Sequence, residues 1–346
     1  METHSNRSIA GRLAPSPTGA QHVGNARTYL LAWLSARSQG GRVILRIEDI
    51  DSPRVKPWAV QQALDDLRWL GLDWDAGPDD ALNEVRDICA GRETASVGSY
   101  VQTERLSFYR AALEELKRRE LVYPCTCTRS DIEAAASAPH VGQEGPVYPG
   151  TCRHRQAADA VPLAGQPFAW RFRYEEWSLF PFVPKEYVDL VAGKQRCLPE
   201  ELGDFVVCKV DGTPAYQLAV VVDDHAMGIT EVIRGDDLIA STFRQLALYA
   251  SLGWTPPQFG HVPLVIGPDG RRLAKRHGDT RLSTLREAGV PAECLVGYLA
   301  WTCGLQSHRN AVRPNDLVGQ FAWERLPRSP LTLTERDWQT LLSMSP

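Results

Sequence analysis

The 346-residue sequence has no long hydrophobic run, no excess of basic residues and no dense set of cysteines. No stretch approaches the roughly 18 apolar residues of a membrane span, and residues 1–8 lack the apolar core of a leader peptide. A net charge of −4 excludes a globally basic nucleic-acid-binding protein, so any RNA contact must come from local patches. Eight cysteines spread over this length exclude a disulfide framework. We therefore expect a cytoplasmic, globular chain that does not bind membranes.

The most informative local pattern is a predicted strand, loop and helix near the N-terminus. An apolar strand over residues 9–14 runs into a proline-containing loop, and a helix follows over residues 25–39. The first turn of a helix carries unpaired N–H groups and partial positive charge, which suit a phosphate. His22 can donate to that phosphate from its ring, Gly24 leaves room beside it, and Asn25 adds an amide donor. Taken alone, these residues equally fit an exposed histidine beside an asparagine N-cap.

A basic loop far along the chain supplies the second half of such a site. Four of the six residues 271–276 are Lys or Arg, and they follow the turn at residues 268–270. Such a cluster alone is usually a solvated surface. Beside a phosphate-binding helix start, however, a mobile loop can clamp a triphosphate as charge builds on it, with Lys275 and Arg276 as charged donors.

These two segments resemble the paired signatures of class I aminoacyl-tRNA synthetases. Residues 22–25 are similar to the HIGH motif, and residues 272–276 are similar to the KMSKS loop, with Ala274 in place of its serine. The resemblance is narrowed to the glutamyl branch by three further segments: residues 12–19, 46–51 and 232–238. It implies that ATP binds with Mg²⁺ and that three residues are catalytic: His22, Asn25 and Lys275. The implied ATP-binding residues are His22, Gly24, Asn25, Lys275 and Arg276.

The order of predicted elements is that of an α/β nucleotide-binding protein, because strands and helices alternate in both halves of the chain. By resemblance this is the Rossmann-like, doubly wound parallel sheet of the class I synthetase core, with a zinc-containing insertion and a small helical C-terminal region. The expected divisions are the two halves of the catalytic domain (1–122 and 204–267), the insertion (123–203), and the signature loop with the helical C-terminal region (268–346). An ordinary glutamyl-tRNA synthetase would continue into an anticodon-binding domain, which is not expected here.

Residues 204–222 are predicted to form a β-hairpin. The turn Asp211-Gly212 separates its two arms, and residues 219–222 are continuously apolar, as in a buried central strand. We therefore expect the second arm to join the central sheet.

Three cysteines lie near one another in the sequence: Cys125, Cys127 and Cys152. In a cytoplasmic chain this grouping favours metal over a disulfide, and a closed zinc site requires a fourth ligand. The candidates are Tyr148, His140 and His154, and ligand chemistry alone favours a histidine. The pattern Cys-x-Cys followed by Tyr-x-x-x-Cys is similar to the zinc site of the glutamyl-queuosine tRNA(Asp) synthetase family, in which a tyrosine is a ligand. The resemblance therefore implies one structural zinc held by Cys125, Cys127, Tyr148 and Cys152.

A glutamate site needs a cation for each carboxylate and an anion for the ammonium group. Arginine suits a carboxylate because its planar fork donates two parallel hydrogen bonds. The resemblance places Arg12 and Arg234 opposite the carboxylates, and which arginine meets which carboxylate stays open. It places Glu48 opposite the ammonium group and Tyr216 as a hydroxyl donor. The remaining implied glutamate-binding residues are Leu13, Ala14, Pro15 and Ser16.

Three functions are open at this point, and in each the chain is expected to be a monomer. The zinc pattern and the expected lack of an anticodon-binding domain favour an enzyme that activates L-glutamate without tRNA and transfers it to queuosine at the wobble position of tRNA(Asp). The second is a conventional but truncated glutamyl-tRNA synthetase. The third is a catalytically silent glutamate- or ATP-binding regulator, which Ala274 supports because it removes a hydroxyl from the loop that clamps the triphosphate.

Overall fold

Parallel β–α–β units form the frame of the chain in a computed structural model, which describes residues 8–50, 55–78, 97–135, 147–174, 184–271, 273 and 280–344. The strands are β1 (Ala10–Leu13), β2 (Arg42–Leu45), β3 (Val122–Cys125), β4 (Ala169–Phe172), β5 (Glu186–Asp189), β6 (Gly193–Arg196), β7 (Phe205–Cys208), β8 (Glu231–Gly235), β9 (Gln258–Val262), β10 (Val265–Ile266) and β11 (Leu331–Thr332). The α-helices are α1 (Val23–Ser38), α2 (Pro57–Trp69), α3 (Leu106–Arg118), α4 (Arg129–Ala135), α5 (Pro199–Leu202), α6 (Tyr216–Ala226), α7 (Ile239–Leu252), α8 (Leu282–Glu287), α9 (Ala292–Thr302), α10 (Pro314–Leu317) and α11 (Glu335–Leu342). None of these helices is long and apolar enough to cross a membrane.

Two crossovers build the parallel frame that positions the site. β1 pairs in parallel with β2 across α1, and β8 pairs in parallel with β9 across α7. The start of β8 is joined to β1, because the backbone N–H of Thr230 donates to the carbonyl of Ala10 at 2.9 Å. The carboxyl ends of β1, β2 and β8 therefore lie at one edge, where open α/β sheets bind their ligands.

Helices cover both faces of this frame. Val43 and Leu45 of β2 belong to one hydrophobic cluster together with residues of α1, whereas Ile44 belongs to a second cluster with residues of α3, α6 and α7. The same alternation occurs in β8, where Ile233 joins the first cluster and Val232 the second. Successive strand residues point to opposite faces, so the sheet is buried on both sides. The predicted doubly wound arrangement is confirmed.

The segment predicted as a hairpin forms a strand and a helix instead. β7 and the turn form as expected, since the N–H of Lys209 donates to the carbonyl of Thr213 at 2.8 Å. Residues 219–222, however, lie inside α6 and are buried there. A short apolar run fits either a central strand or a buried helix, so hydrophobicity alone could not separate the two. β7 pairs in an antiparallel sheet of order β3, β4, β7 rather than in the parallel frame.

The described residues from 280 onward are mainly helical and pack behind α1. Leu295 and Leu299 of α9 and Leu341 of α11 lie in the same hydrophobic cluster as Leu30 and Leu34 of α1. A parallel pairing of β10 with β11 adds a contact that the sequence did not predict. The C-terminal helices thereby support the helix that starts beside the candidate site.

Candidate active site

A cavity of about 890 Å³ opens at the carboxyl edge of the parallel strands. Its walls come from the ends of β1 and β8, the residues just after β2, and the first residues of α1 and α6. Many residues predicted from the sequence line it: Arg12, Ala14, Ser16, His22, Gly24, Asn25, Glu48, Tyr216 and Arg234. The structure thus brings residues from both halves of the chain into one cavity.

Leu13 and Pro15, also predicted to bind glutamate, are buried. Their backbone carbonyls position residues of the cavity wall. The carbonyl of Leu13 accepts from the N–H of Arg46 at 2.9 Å, and the carbonyl of Pro15 accepts from the N–H of Glu48 at 3.0 Å. These bonds continue the pairing of β1 with β2 beyond the strand ends. They set Glu48 at the edge of the cavity.

A capping box forms the N-terminus of α1 beside the cavity. The N–H of Gly24 donates to His22 Nδ1 at 3.1 Å, and the N–H of His22 donates to Asn25 Oδ1 at 3.1 Å. Because Nδ1 accepts, the ring proton lies on Nε2, which is then the ring atom able to donate. A Cβ added to Gly24 would lie 3.0 Å from His22 Cε1, so glycine lets the ring lie over the helix start. The helix begins at Val23 with His22 as N-cap, so the prediction of a start near Asn25 was late by two residues.

Segments on both sides of the basic loop lie beside this helix start. Residues 272 and 274–279, which include Lys275 and Arg276, lie outside the described residues. On the C-terminal side of the loop, the N–H of Val23 donates to the carbonyl of Thr280 at 3.2 Å, and the N–H of Leu282 donates to the carbonyl of Gln21 at 2.9 Å. On its N-terminal side, Val265 lines the same cavity as Gly24. The described residues that flank the basic loop therefore lie next to the first signature.

A buried ionic network holds Arg12 and Glu48. Arg12 Nε lies 3.7 Å from Asp224 Oδ1, and its Nη1 donates to the carbonyl of Ile233 at 3.1 Å. Arg46 donates from Nη2 to Glu48 at 2.8 Å and from Nη1 to Asp224 at 2.7 Å. Burial lowers the pKa of Arg12, while Asp224 opposes this shift. Arginine nevertheless keeps its charge in proteins, because its ordinary pKa is far above neutrality.

Asp223 extends this network away from the cavity. Its carboxylate accepts from Arg105 Nε at 2.7 Å, from the Tyr109 hydroxyl at 2.9 Å and from Gln102 Nε2 at 2.9 Å. Burial, followed by the charge of Asp223, raises the pKa of Tyr109 well above its ordinary value. Sequence reasoning did not identify either aspartate. The signal that points to them is a pair of adjacent carboxylates inside an otherwise apolar helix.

Uncharged groups, in contrast, hold Arg234, which is 4% exposed. Its Nε donates to His261 Nε2 at 3.0 Å, and its Nη2 donates to Thr242 Oγ1 at 2.7 Å. Its Nη1 lies 3.4 Å from the Tyr216 hydroxyl, and Nη2 also approaches the carbonyl of Leu238 at 3.5 Å. Within the described part of the chain, none of these partners is a carboxylate. Among the described residues, this buried cation therefore has no direct contact with a carboxylate.

The cysteines of the predicted metal site meet Tyr148 at one end of the cavity. The Sγ atoms of Cys125, Cys127 and Cys152 all lie within 4.8 Å of one another. The Tyr148 hydroxyl lies 3.3 Å from Cys125 Sγ and 3.6 Å from Cys127 Sγ, and it accepts from the N–H of Cys152 at 2.8 Å. Tyr148 also lines the cavity.

Neither alternative histidine is seen in this group. His154 is exposed, and the group of metal-ligating side chains found among the described residues contains only the three cysteines. His140 lies outside the residues that the structure describes. Of the three candidates for a fourth ligand, Tyr148 is the one that the structure places beside the thiols.

The geometry agrees with what comparison with known proteins shows. A family model described as tRNA synthetases class I (E and Q), catalytic domain, matches residues 8–338. The chain belongs to this family. Family membership confirms the predicted class I catalytic fold and the chemistry of an aminoacyl-tRNA synthetase-like ligase.

Individual relatives extend this result. A protein of Rhodopirellula baltica named glutamyl-Q tRNA(Asp) synthetase is 48% identical over 344 residues, which cover 94% of this chain and 96% of the relative. A protein of the same name from Symbiobacterium thermophilum is 49% identical over 331 residues, again 94% of this chain and 96% of the relative. The crystal structure of a glutamate-tRNA synthetase from Elizabethkingia anophelis superposes with a TM-score of 0.77 at 26% identity, covering 97% of this chain and 70% of that one.

Proposed function

We propose that this chain uses ATP to activate L-glutamate in the absence of tRNA and transfers the glutamyl group to queuosine at the wobble position of tRNA(Asp). The choice of acceptor is supported by the names of the two relatives that match over nearly their full length. The choice of amino acid is supported by Arg234, a buried arginine that lines the cavity and has uncharged partners. A buried cation of this kind is stabilised when a ligand supplies the anion.

Glutamate would lie between the two arginines. Arg12 and Arg234 each face one carboxylate, and Glu48 faces the ammonium group. The Tyr216 hydroxyl, 3.4 Å from Arg234, would donate to the same carboxylate as that arginine. Ala14 and Ser16 would form the wall beside the ligand, over the buried backbone of Leu13 and Pro15. Arginine pairs carboxylates better than amides, so this site favours glutamate over glutamine.

ATP would bind where α1 begins, with His22, Gly24 and Asn25 around its phosphates and with Mg²⁺ accompanying the triphosphate. An oxygen of the glutamate α-carboxylate bonds to the α-phosphorus while the bond from that phosphorus to pyrophosphate breaks. The enzyme contributes position and charge to this displacement. His22 would donate from Nε2 to a phosphate oxygen, Asn25 from its amide, and Lys275 and Arg276 from the basic loop.

The cluster of three cysteines and Tyr148 fits one structural zinc ion. In a tetrahedral site with zinc–sulfur bonds of about 2.3 Å, two sulfurs lie about 3.8 Å apart. Cys127 Sγ and Cys152 Sγ are 3.7 Å apart, close to that spacing. A zinc ion held by Cys125, Cys127, Tyr148 and Cys152 would tie the end of β3 to the segment that carries Tyr148 and Cys152.

The zinc proposal is tested by metal analysis of the purified protein. About one zinc per chain is expected, and Cys125→Ser and Cys152→Ser should lose it. Cys197→Ser, at a half-buried thiol elsewhere, is the matched control and should keep the metal. Full retention of zinc by Cys152→Ser would show that the ligand set is wrong, and retention by Tyr148→Phe would remove the tyrosine from it.

ATP–pyrophosphate exchange with glutamate and no tRNA tests the activation step. The proposal predicts exchange under these conditions. Exchange that appears only when tRNA is added would favour a conventional glutamyl-tRNA synthetase, the second candidate, which the likeness to the crystal structure of that name supports. No exchange under either condition would favour a regulator without catalytic activity.

The acceptor is tested with labelled glutamate and two preparations of tRNA(Asp), with and without queuosine. Label should transfer to the modified tRNA alone, and transfer should persist after enzymatic removal of the tRNA's 3′-terminal adenosine, because the ester forms in the anticodon loop. Binding should weaken steeply with salt, since scattered Lys and Arg would contact phosphates. Efficient charging of tRNA(Glu) on its terminal ribose would overturn the proposal.

Both tRNA and ATP are found in the cytoplasm, so we propose that the protein acts there. We also propose that it acts as a monomer.

A further inference from the structure

Three buried side chains form a hydrogen-bonded series that ends at Arg234. Asp189, at the end of β5, has Oδ2 2.6 Å from His261 Nδ1, and both side chains have zero exposure. His261, in β9, lies opposite Arg234 of β8 in the parallel register and accepts from its Nε at 3.0 Å. Neither Asp189 nor His261 lines the cavity among the residues that the structure describes. Their effect on a ligand must therefore pass through Arg234.

The geometry of this series fixes which atom donates and which accepts in each hydrogen bond. Asp189 Oδ1 accepts from the backbone N–H groups of Val191, Ala192 and His261 at 2.8 to 2.9 Å, which locks the carboxylate in place. Its second oxygen accepts from His261 Nδ1, so the proton of the neutral ring lies there. Nε2 then carries a lone pair and accepts from Arg234. Burial lowers the pKa of His261 although Asp189 opposes the shift, and a neutral ring agrees with this assignment.

The same hydrogen-bonded series also restricts the orientation in which Arg234 can contact a ligand. His261 holds Nε, and Thr242 Oγ1, which lies 3.1 Å from His261 Nε2, holds Nη2. Because Nε and Nη2 lie on one edge of the guanidinium and both are hydrogen-bonded, the guanidinium plane is held in one orientation. Nη1 remains beside the Tyr216 hydroxyl, and both Arg234 and Tyr216 line the cavity.

We propose that His261, oriented by Asp189, is a positioning residue that sets the guanidinium plane of Arg234 for a carboxylate of the amino-acid substrate. This inference rests on the proposed function, because it assumes that glutamate occupies the cavity. Preorganisation of this kind improves binding by avoiding the ordering of a flexible side chain when the ligand arrives. The resulting selectivity acts on the amino acid and leaves ATP binding unchanged.

The first test replaces the ring nitrogens and keeps an aromatic ring. His261→Phe should raise the KM for glutamate about 10- to 50-fold in ATP–pyrophosphate exchange, with the KM for ATP unchanged, because one hydrogen bond to a charged group is lost. His261→Gln offers an amide oxygen as acceptor and should recover part of the loss. His225→Phe is the matched control, since His225 is exposed and stacks on Trp254.

The second test changes the orienting residue alone. Asp189→Asn keeps an oxygen for the three backbone N–H groups but turns an amide N–H toward His261 Nδ1. The ring must then carry its proton on Nε2, which would face Arg234 as a second donor, as in other sites where an amide replaces the orienting carboxylate. The KM for glutamate should rise again while the melting temperature stays near that of the unsubstituted protein.

A double-mutant cycle decides whether the effect passes through Arg234. In an Arg234→Ala background, His261→Phe should raise the KM for glutamate no further, because the contact is already absent. Additive effects, or a parallel rise in the KM values for glutamate and ATP with a lower melting temperature, would overturn the inference. Failure of the unsubstituted protein to activate glutamate would refute the proposed function. Normal activation together with an unchanged glutamate KM in His261→Phe would refute the positioning role alone.

Discussion

Arg12 and Arg234 line the same cavity, but the protein holds them in opposite ways. Arg12 lies 3.7 Å from Asp224, whereas the hydrogen-bond partners of Arg234 are uncharged. A buried cation beside a carboxylate is part of the folded network, and removing its partner exposes an uncompensated charge. A buried cation among neutral groups is balanced best by a ligand. The charge of the neighbours, more than burial, therefore distinguishes Arg12, which is paired with a carboxylate of the protein, from Arg234, whose proposed anionic partner is the substrate alone.

The largest expected effect comes from removing the carboxylate on the Arg12 side. Asp224→Ala leaves Arg12 and Arg46 buried with one anion fewer and should lower the free energy of unfolding by about 3 to 5 kcal/mol. Urea denaturation measures the change. Asp65→Ala, at a half-exposed aspartate 3.7 Å from Arg68, is the control and should shift stability by less than about 0.5 kcal/mol. A loss below about 1 kcal/mol for Asp224→Ala would show that Glu48 and Asp223, the remaining acidic neighbours of Arg46, balance these arginines without it.

Removing the arginine on the other side should separate activity from stability. Arg234→Ala is expected to lower kcat/KM for glutamate about 100-fold or more in pyrophosphate exchange, because a charge-assisted contact to the substrate is lost. The free energy of unfolding should change little or increase, since the substitution removes a buried charge that has no acidic partner among the described residues. Destabilisation as large as that of Asp224→Ala would break the comparison between the two arginines.

Replacing the substrate rather than the enzyme probes the same difference. Glutamine should be activated about 100-fold less efficiently than glutamate, because an amide leaves one arginine poorly paired. Arg234→Gln should narrow that gap more than any substitution on the Arg12 side. Competition between the two amino acids in the exchange assay measures the ratio, and equal rates in the unsubstituted protein would remove Arg234 from the carboxylate site.

The smallest expected effect is that of the hydroxyl beside Arg234. Tyr216→Phe removes a neutral donor 3.4 Å from Nη1 and should raise the KM for glutamate about 5-fold, the effect of one ordinary hydrogen bond. The KM for ATP should not change. A rise above about 100-fold would show that the hydroxyl, rather than the guanidinium, provides most of the binding.

Contiguous segments made much of the site predictable. Arg12 and His22 belong to one strand–loop–helix segment. Because they are close in sequence, they reach one cavity once that segment forms the predicted strand, loop and helix. Their assignment as ligand contacts stays a prediction, as does the role of Lys275, which lies outside the described residues. The fourth zinc ligand was open on ligand chemistry, and the structure places Tyr148, rather than His154, next to the thiols.

The parts that sequence did not predict depend on packing between distant segments. Asp189 reaches His261 because the end of β5 lies against β9, where the N–H of Leu190 donates to the carbonyl of Phe259 at 2.9 Å. No local pattern marks such a pair. Residues 219–222 show a second limit, since their uniform apolarity hid the helical period that places Asp223 and Asp224 in the network.

The pairing of residues 21–23 with residues 280–282 has a consequence for how this protein can be altered. The bond from Val23 to Thr280 and the bond from Leu282 to Gln21 join the first signature segment to the residues that follow the basic loop. A chimera that takes one segment from this chain and the other from a distant relative would have to form these two bonds between sequences of different origin. We expect higher exchange activity when both segments come from the same parent, so the two segments are best exchanged together.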